Sequence, residues 1–258
     1  MQAIPIAAFR SPTLRLGSMS SRLARSHTMV TLTANWANDS MASYSAYINP
    51  DSPNHDREKP EIAAPGNVFS TFEVSPWVPA LNSGTGFAAP HVAGTAALLM
   101  QAKPSLKTSP AEVKAVLMAS AVHNIEGASR LSDQDGAGGL QAKAAYDAVV
   151  NGWSGKISYE ICQGYCSNVT FNATAGQVVR FVICWLSQSD GFGTDTADDI
   201  DLTVKNPSGS IAATSASFDN NFEIVEFTAT QTGTYTARGC FPCCRPPETP
   251  CPVFGWAY

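Results

Sequence analysis

The segment that most constrains the fold runs from Gly84 to Met100 and reads "GTGFAAPHVAGTAALLM". It opens with a Gly-rich turn and then stays apolar nearly all round. This pattern predicts a helix buried in the middle of a domain. Pro90 is tolerated only in the first turn of a helix, which places the helix start close to Thr85 or Gly86.

Two further helices and a preceding strand are predicted around this segment. In the second helix Ser109 is expected to cap, Pro110 to take the first helical position, and Glu112 to reach back in a capping box. The apolar spacing of this helix predicts burial of Val113, Val116, Leu117 and either Ser120 or Ala121. A third helix, "QAKAAYDAVVNG", is expected to end at Gly152. Upstream, residues 29–36 are rich in β-branched side chains and predict a buried strand.

The texture of the sequence changes after Trp153. Several short segments, such as "QVVRFVICWL" and "FEIVEFTAT", alternate in polarity and are separated by Asn, Asp, Gly and Ser turns. This pattern predicts an antiparallel β-sandwich. We therefore divide the chain into a poorly ordered or non-native segment (1–28), an α/β domain (29–152) and a sandwich (153–258).

Cysteine usage separates the two halves of the chain. All seven cysteines follow residue 160: Cys162, Cys166, Cys184, Cys240, Cys243, Cys244 and Cys251. Together with N-glycosylation sequons at Asn168 and Asn172, they favour an oxidising, extracellular setting with disulfides, and the odd number leaves one thiol over. The alternative is zinc held by "CFPCC" and Cys251, but no helix or knuckle flanks that cluster. "MQAIPIAAF" is not a secretion signal, so we expect the true N-terminus to lie elsewhere.

The charge distribution argues against two classes of partner and raises one metal candidate. A net charge of −5 with no basic patch speaks against nucleic acid. No apolar run reaches about 18 residues, so no membrane span is expected. The acidic run "SDGFGTDTADDIDL" lacks EF-hand spacing, and a solvated loop is the alternative to a calcium site. Its possible calcium ligands are Asp190, Asp195, Asp198, Asp199 and Asp201.

The helix motif resembles the nucleophile motif of the subtilisin-like serine peptidases, the subtilases, Gly-Thr-Ser-x-Ala-x-Pro-His-Val-Ala-Gly. The matching residues are Gly84, Thr85, Ala88, Pro90, His91, Val92, Ala93 and Gly94. Gly86 stands at the position of the nucleophilic Ser. "KPEIAAPG" (59–66) also resembles a family segment, and the likeness covers roughly residues 29–150. The C-terminal part, with Asp-x-Asp-Leu, Pro-x-Gly and Asn-x-x-Glu signals, resembles the sandwich that follows the catalytic domain in some secreted subtilases.

The resemblance implies an incomplete subtilisin-like parallel sheet with helices, followed by the sandwich. It also implies a secreted or vacuolar serine endopeptidase that cleaves peptide or protein substrates and requires no cofactor. Such chemistry needs a Ser, a His base and an Asp that orients the base. The family's Asp-Thr-Gly and His-Gly-Thr motifs and its oxyanion Asn segment do not occur in this sequence. None of the four histidines, His27, His55, His91 and His123, has the required surroundings.

Two residues near the motif are candidate substitutes for the missing groups. His91 follows the motif's Pro and is expected to be a structural helix residue. Ser83 lies three residues before the nucleophile position, so the backbone would have to shift to bring it into the site. We therefore predict that the chain is catalytically inactive.

Two interpretations of this inactivity remain. The chain is the C-terminal portion of a peptidase with a truncated gene or misassigned start, or it is a pseudopeptidase whose sandwich binds carbohydrate or protein. Gly86 favours the second interpretation over simple truncation, because a lost N-terminus alone would leave Ser in place.

Overall fold

A computed structural model describes residues 31–35, 40–45, 54–71, 79–123, 131, 134–157, 166–186, 199–240 and 254–258. The first part of the chain contains β1 (Thr31–Asn35), β2 (Ser40–Met41), β3 (Ile62–Pro65), β4 (Asn67–Thr71), β5 (Pro79–Ser83), α1 (Thr85–Ala102), a 3-10 helix (Pro104–Thr108), α2 (Pro110–Ala119) and α3 (Ala142–Val150). Within the described ranges, none of the helices is sufficiently long and apolar to cross a lipid bilayer.

A small mixed sheet lies at the start of the first part, in the order β2-β1-β3. Strands β1 and β3 are parallel, with Thr31 opposite Ile62, while β2 pairs antiparallel to β1. Strands β4 and β5 form a separate antiparallel hairpin that leads directly into α1. The predicted fold class, an incomplete α/β domain followed by an antiparallel sandwich, is confirmed, whereas the division at residue 152 stays a prediction.

Helix α1 is not buried all round, so that prediction was wrong. Its buried side chains are Ala88, Val92, Thr95 and Leu99, which lie on one face. On the other face Phe87 is 38% exposed and Leu98 is 57% exposed. The helix is apolar, as predicted, but the described residues leave this outer face largely exposed.

The start of α2 departs from the predicted capping box. Pro110 takes the first helical position as expected, but the Ser109 side chain makes no capping hydrogen bond. Glu112 does not reach back either. Its carboxylate accepts hydrogen bonds from Lys103 Nζ (2.6 Å) and Ser154 Oγ (3.0 Å). A buried tertiary partnership has therefore displaced the local one.

Helix α3 ends as predicted. The Trp153 N–H donates to the Ala148 carbonyl (2.8 Å) and the Gly152 N–H to the Val149 carbonyl (3.3 Å). This is the Schellman arrangement, and it requires a left-handed residue at Gly152, whose φ is 74°.

Two four-stranded antiparallel sheets form the second part of the chain, in the orders β10-β9-β12-β7 and β11-β8-β13-β6. Their strands are β6 (Ser154–Ile157), β7 (Cys166–Ala173), β8 (Val178–Trp185), β9 (Asp201–Lys205), β10 (Ile211–Ser215), β11 (Phe222–Thr228), β12 (Gly233–Cys240) and β13 (Phe254–Ala257). Aromatic residues, including Phe181, Trp185 and Tyr235, fill the core between the sheets. A disulfide joins Cys166 of β7 to Cys240 of β12.

Helix α2 forms a third layer on the outer face of the β11-β8-β13-β6 sheet. Its residues from Ala111 to Met118 are all buried. A single apolar cluster contains side chains from α2, such as Ala115 and Met118, and from the sandwich, such as Val182 and Ile224. The first part of the chain and the sandwich therefore share a core.

Candidate active site at the start of helix α1

Gly86 is the second residue of α1, and the turn before it is held by backbone hydrogen bonds. The Gly84 N–H donates to the Gly66 carbonyl (2.9 Å), and the Phe87 N–H donates to the Gly84 carbonyl (3.0 Å). These bonds fix the helix start against the β4–β5 hairpin. Gly86 is exposed, and an added Cβ would meet no atom within 4 Å. The local packing therefore has room for a side chain, and steric crowding does not explain the glycine.

Ser83, the candidate substitute nucleophile, is the last residue of β5. It is paired with Asn67 in the hairpin, and its side chain is exposed. Ser83 is thus part of a regular strand and lies before the turn that starts α1. The backbone shift that would bring it to the Gly86 position would break this pairing.

The described histidines have contacts of their own. His91 is exposed on α1, and its Nδ1 lies 2.8 Å from the Phe87 carbonyl oxygen one turn earlier in the same helix. His123 follows α2, where its Nε2 contacts Arg180 and lies 3.2 Å from a carboxylate oxygen of Glu226. In the described part of the chain, neither of these two histidines hydrogen-bonds to Ser83. His55 is exposed between Asn54 and Asp56 and lines a polar cavity beside the sandwich. His27 lies outside the described residues.

Two of the five candidate calcium ligands, Asp199 and Asp201, are described, whereas Asp190, Asp195 and Asp198 lie outside the described residues. Burial, together with the charges of Asp201 and Asp56, raises the pKa of Asp199 to about 6. Its Oδ1 atom is buried and has no hydrogen-bond partner among the described residues. Among the residues that the structure describes, no three His, Cys, Asp or Glu side chains are grouped so as to hold a metal. Calcium binding stays a prediction.

A polar cavity of about 490 Å³ lies beside β11 and was not predicted. Glu223 on its wall is only 1% exposed, and it accepts hydrogen bonds from the Ser217 N–H (2.7 Å) and from Ser215 Oγ. Burial raises the pKa of Glu223 to about 7. The Asn-x-x-Glu signal in the sequence includes this residue, but strand alternation alone gave no reason to bury a carboxylate.

A buried charge cluster at the start of β3 was also missed. Glu61 is fully buried, and its Oε1 accepts hydrogen bonds from Lys59 and from Lys114 (2.6 Å). Burial pushes the pKa of Glu61 upward, but the charges of Lys114 and Lys59 outweigh it and hold this pKa below its ordinary value. Lys114 also donates to Asn221 Oδ1 in the sandwich (2.7 Å). Glu61, Lys114 and Asn221 are distant in sequence, so only the folded chain brings them together.

Cys184 is the cysteine that the structure leaves as a thiol among the described residues. Burial raises its pKa to about 12, so it stays protonated and unreactive at neutral pH. Its Sγ lies 4.0 Å from Met118 Sδ of α2. Cys162, Cys243, Cys244 and Cys251 lie outside the described residues, so the choice between further disulfides and zinc stays open.

Comparison with known proteins gives two kinds of similarity. The chain is 40% identical to the minor extracellular protease Vpr of Bacillus subtilis (strain 168) over 83 residues, which is 30% of this chain and 9% of Vpr. Among solved structures, the patellamide maturation protease PatA covers 47% of this chain (42% of its own) at 22% identity with a TM-score of 0.35. A serine protease of Aeromonas sobria covers 88% of this chain (56% of its own) at 12% identity with a TM-score of 0.36. The chain thus matches less than a tenth of the length of Vpr.

Family profiles match both parts of the chain. The bacterial pre-peptidase C-terminal domain profile matches residues 169–238, inside the sandwich. The subtilase family profile, Peptidase_S8, matches residues 6–146. Since this second match covers more than half of the sequence and includes the motif around Gly86, the chain belongs to the subtilase family.

Proposed function

We propose that this chain is a subtilase-family protein that does not itself hydrolyse peptide bonds. The observation that carries the proposal is Gly86, which stands where the family motif has its nucleophilic Ser. A subtilisin-like mechanism requires the serine hydroxyl to attack the scissile carbonyl. Loss of the nucleophile lowers such activity by several orders of magnitude even when every other group is present.

The surroundings of Gly86 support this proposal. The turn and the helix start are formed and open to solvent. Residue 86 is therefore exposed at the start of the helix, as a nucleophile would be, but it carries no reactive side chain. His91, one turn further on, binds its own helix through the Phe87 carbonyl at 2.8 Å. Ser83 is held in β5, before the turn. The two side chains therefore do not form a nucleophile and a general base at hydrogen-bonding distance from each other.

A fluorophosphonate probe, which labels activated serines, tests the proposal on the full chain. We expect no labelling of the chain or of the matched control Gly94→Ser, which adds a hydroxyl at another open, exposed position of α1. Gly86→Ser tests the position itself, and we expect it to remain unlabelled because the family's His and Asp motifs do not occur in this sequence. Labelling of the unmodified chain would show the proposal to be wrong.

The alternative function is a pseudopeptidase that binds protein or carbohydrate. Gly86 favours it, because the rest of the motif is intact while the one reactive residue is replaced. Titration calorimetry with an unstructured protein such as casein and with a set of soluble oligosaccharides tests this alternative. Saturable binding by the unmodified chain supports this alternative. The absence of a binding heat with both classes of ligand argues against it.

We also propose that the chain functions in an oxidising, extracellular compartment. The Cys166–Cys240 disulfide between β7 and β12 supports this proposal. Peptide mapping without reduction of protein isolated from its native source tests it, with the linked peptides expected to contain this pair. Recovery of both cysteines as free thiols would contradict the proposal.

A further inference from the structure

We infer that the sandwich is a fixed structural partner of helix α2 and not a separable appendage, so that the sandwich and the subtilase part fold and unfold as one cooperative unit. The inference rests on the seam between α2 and the β11-β8-β13-β6 sheet. It does not depend on whether the chain has peptidase activity.

The apolar side chains at the seam make the sheet two-sided. Along β8, Val182 and Cys184 belong to the cluster shared with α2, whereas Phe181 and Ile183 belong to the core between the two sheets. Successive residues of a strand point to opposite faces, so both faces of this sheet are buried. A sandwich that stood alone would expose an apolar face to water.

The backbones of the two parts also touch. A Cβ on Gly255 of β13 would overlap the backbone of Glu112 and Ala111 at the start of α2. Only glycine permits this approach, because any side chain would push the strand away from the helix. The sequence of β13 is therefore adapted to the presence of α2.

Arg180 extends from β8 of the sandwich to the C-terminal end of α2. Its Nη1 donates to the carbonyls of Ala121 (2.7 Å), Ala137 (2.8 Å) and Met118 (3.3 Å), and its Nε donates to Glu226 (2.7 Å). Its side chain is only 8% exposed. The last carbonyls of a helix lack partners within the helix, and a cation near them is favourable. Arg180 thus completes the end of a helix that belongs to the other part of the chain.

Polar contacts close the rest of the seam. Lys114 of α2 donates to Asn221 of the sandwich (2.7 Å) and lies 4.8 Å from the centre of the Phe222 ring. The Asp56 carboxylate accepts hydrogen bonds from the Phe218 and Asp219 backbone N–H groups at 2.8 and 2.9 Å. Separation of the two parts would break the hydrogen bonds that Arg180 and Lys114 make across the seam, although the ion pairs Arg180–Glu226 and Lys114–Glu61 each lie within one part. Hydrogen bonds from a charged donor are stronger than neutral ones, so their loss opposes separation.

Hydrogen exchange measured by mass spectrometry on the full chain across a urea series tests the inference. Peptides from α2 and α3 report on the subtilase part, and peptides from β7, β9 and β12 report on the sandwich. We expect one urea midpoint for both groups, as a two-state unit requires. Distinct midpoints in the unmodified chain would overturn the inference.

Three variants sharpen the test. Arg180→Gln removes the charged donor at the seam, and we expect it to lower both midpoints by the same amount. If Arg180→Gln does not fold, Arg180→Lys keeps the charge but loses the forked geometry and gives a smaller, equally shared shift. The control Arg238→Gln, at an exposed position of β12, should leave both midpoints in place. A shift in only one group of peptides would show that the two parts unfold independently.

Gly255→Ala tests the backbone contact, with Gly94→Ala as its control because a Cβ at Gly94 meets no atom within 4 Å. We expect Gly255→Ala to lower both midpoints and Gly94→Ala to lower neither. An unchanged α2 midpoint in Gly255→Ala would contradict the role of the seam.

Discussion

Helices α1 and α2 differ in burial in the opposite sense to what the polarity of their sequences indicates. Helix α1 is apolar on every side yet is buried on one face only, with Leu98 57% exposed. Helix α2 carries Glu112 and Lys114, but both are buried, at 2% and 8% exposure. The hydrophobicity of a helix determines how much free energy its burial would contribute. Whether the helix is buried depends on which other elements cover it.

The cover differs between the two helices. The sandwich lies over α2 and supplies partners for its charged side chains, including Asn221 for Lys114. The described residues leave the outer face of α1 largely exposed. Four experiments test this difference, in order of decreasing expected effect.

The largest loss of stability is expected from changes to the buried charge cluster of Glu61, Lys59 and Lys114. Replacing Lys114 by Met leaves Glu61 with one cationic partner in place of two, and replacing Glu61 by Ala leaves both lysines uncompensated. Because removing one member of a buried ion pair costs about 3–5 kcal/mol, we expect Glu61→Ala to lower the free energy of unfolding by that order. Urea denaturation followed by circular dichroism measures it.

The matched control for this experiment is the exposed pair Lys143–Asp147 on α3, whose side chains are 77% and 36% exposed. We expect Lys143→Met to change the free energy of unfolding by no more than about 0.5 kcal/mol. Equal effects of Glu61→Ala and Lys143→Met would mean that the buried cluster contributes nothing particular to stability.

Two leucine truncations compare the helices directly. Leu117 of α2 is 1% exposed, so Leu117→Ala should lower the free energy of unfolding by about 2–5 kcal/mol through lost burial and a cavity. Leu98→Ala on the outer face of α1 should change it by no more than about 0.5 kcal/mol. Thermal denaturation of both variants measures these two losses of stability. A large loss in Leu98→Ala would show that the outer face of α1 is covered after all.

A third experiment asks how pH acts on β11, the edge strand of the sheet that covers α2. Burial raises the pKa of Glu223 from 4.5 to about 7. Because the folded state holds the proton more tightly, the associated stability is present in full below pH about 4.5 and is lost as pH rises through about 7. The pKa difference corresponds to about 3 kcal/mol.

Chemical denaturation between pH 4.5 and 8 measures this dependence. We expect Glu223→Gln to flatten the fall in stability with rising pH, whereas Asp147→Asn on the exposed surface of α3 should leave it unchanged. Stability that rises over this range in the unmodified chain, with no change in slope for Glu223→Gln, would contradict the assignment.

The smallest effect is expected from calcium. Asp199 has a buried oxygen atom that finds no hydrogen-bond partner among the described residues. Burial, together with the charges of Asp201 and Asp56, raises its pKa, so a bound cation would offset that repulsion. At 100 times the dissociation constant, a bound ligand stabilises the folded state by about 2.7 kcal/mol, and a weak site gives less. We expect millimolar calcium to raise the melting temperature at pH 8 by a few degrees, and Asp199→Asn to reduce that rise.

Magnesium at the same concentration controls for ionic strength. An equal rise with both ions, or a rise that Asp199→Asn leaves intact, would argue against a calcium site at the acidic segment.

Local patterns were enough to predict much of the fold. Pro90 and the Gly-rich turn placed the start of α1 close to Thr85 or Gly86, and the helix begins at Thr85. Pro110 marked the first residue of α2, and Gly152 ended α3. Alternation located the sandwich strands. These features depend on interactions between residues close in sequence, which is why one sequence reveals them.

The residues of the candidate site also lie close together in sequence, within one motif, and their role stays a prediction. The motif from Gly84 to Gly94 identified the family and marked Gly86 as the position without a nucleophile. The prediction of a capping box at Ser109 was wrong because the Glu112 carboxylate binds Lys103 and Ser154, which lie 9 and 42 positions away.

By itself, then, the sequence determined the family, the types of the main elements and the absence of a hydroxyl at residue 86. Only the tertiary structure decided which helix is covered, because burial is a property of neighbouring elements. It also brought Arg180 to the end of α2 and Glu61 to Lys114. Such contacts join residues more than 50 positions apart, and no local periodicity encodes them.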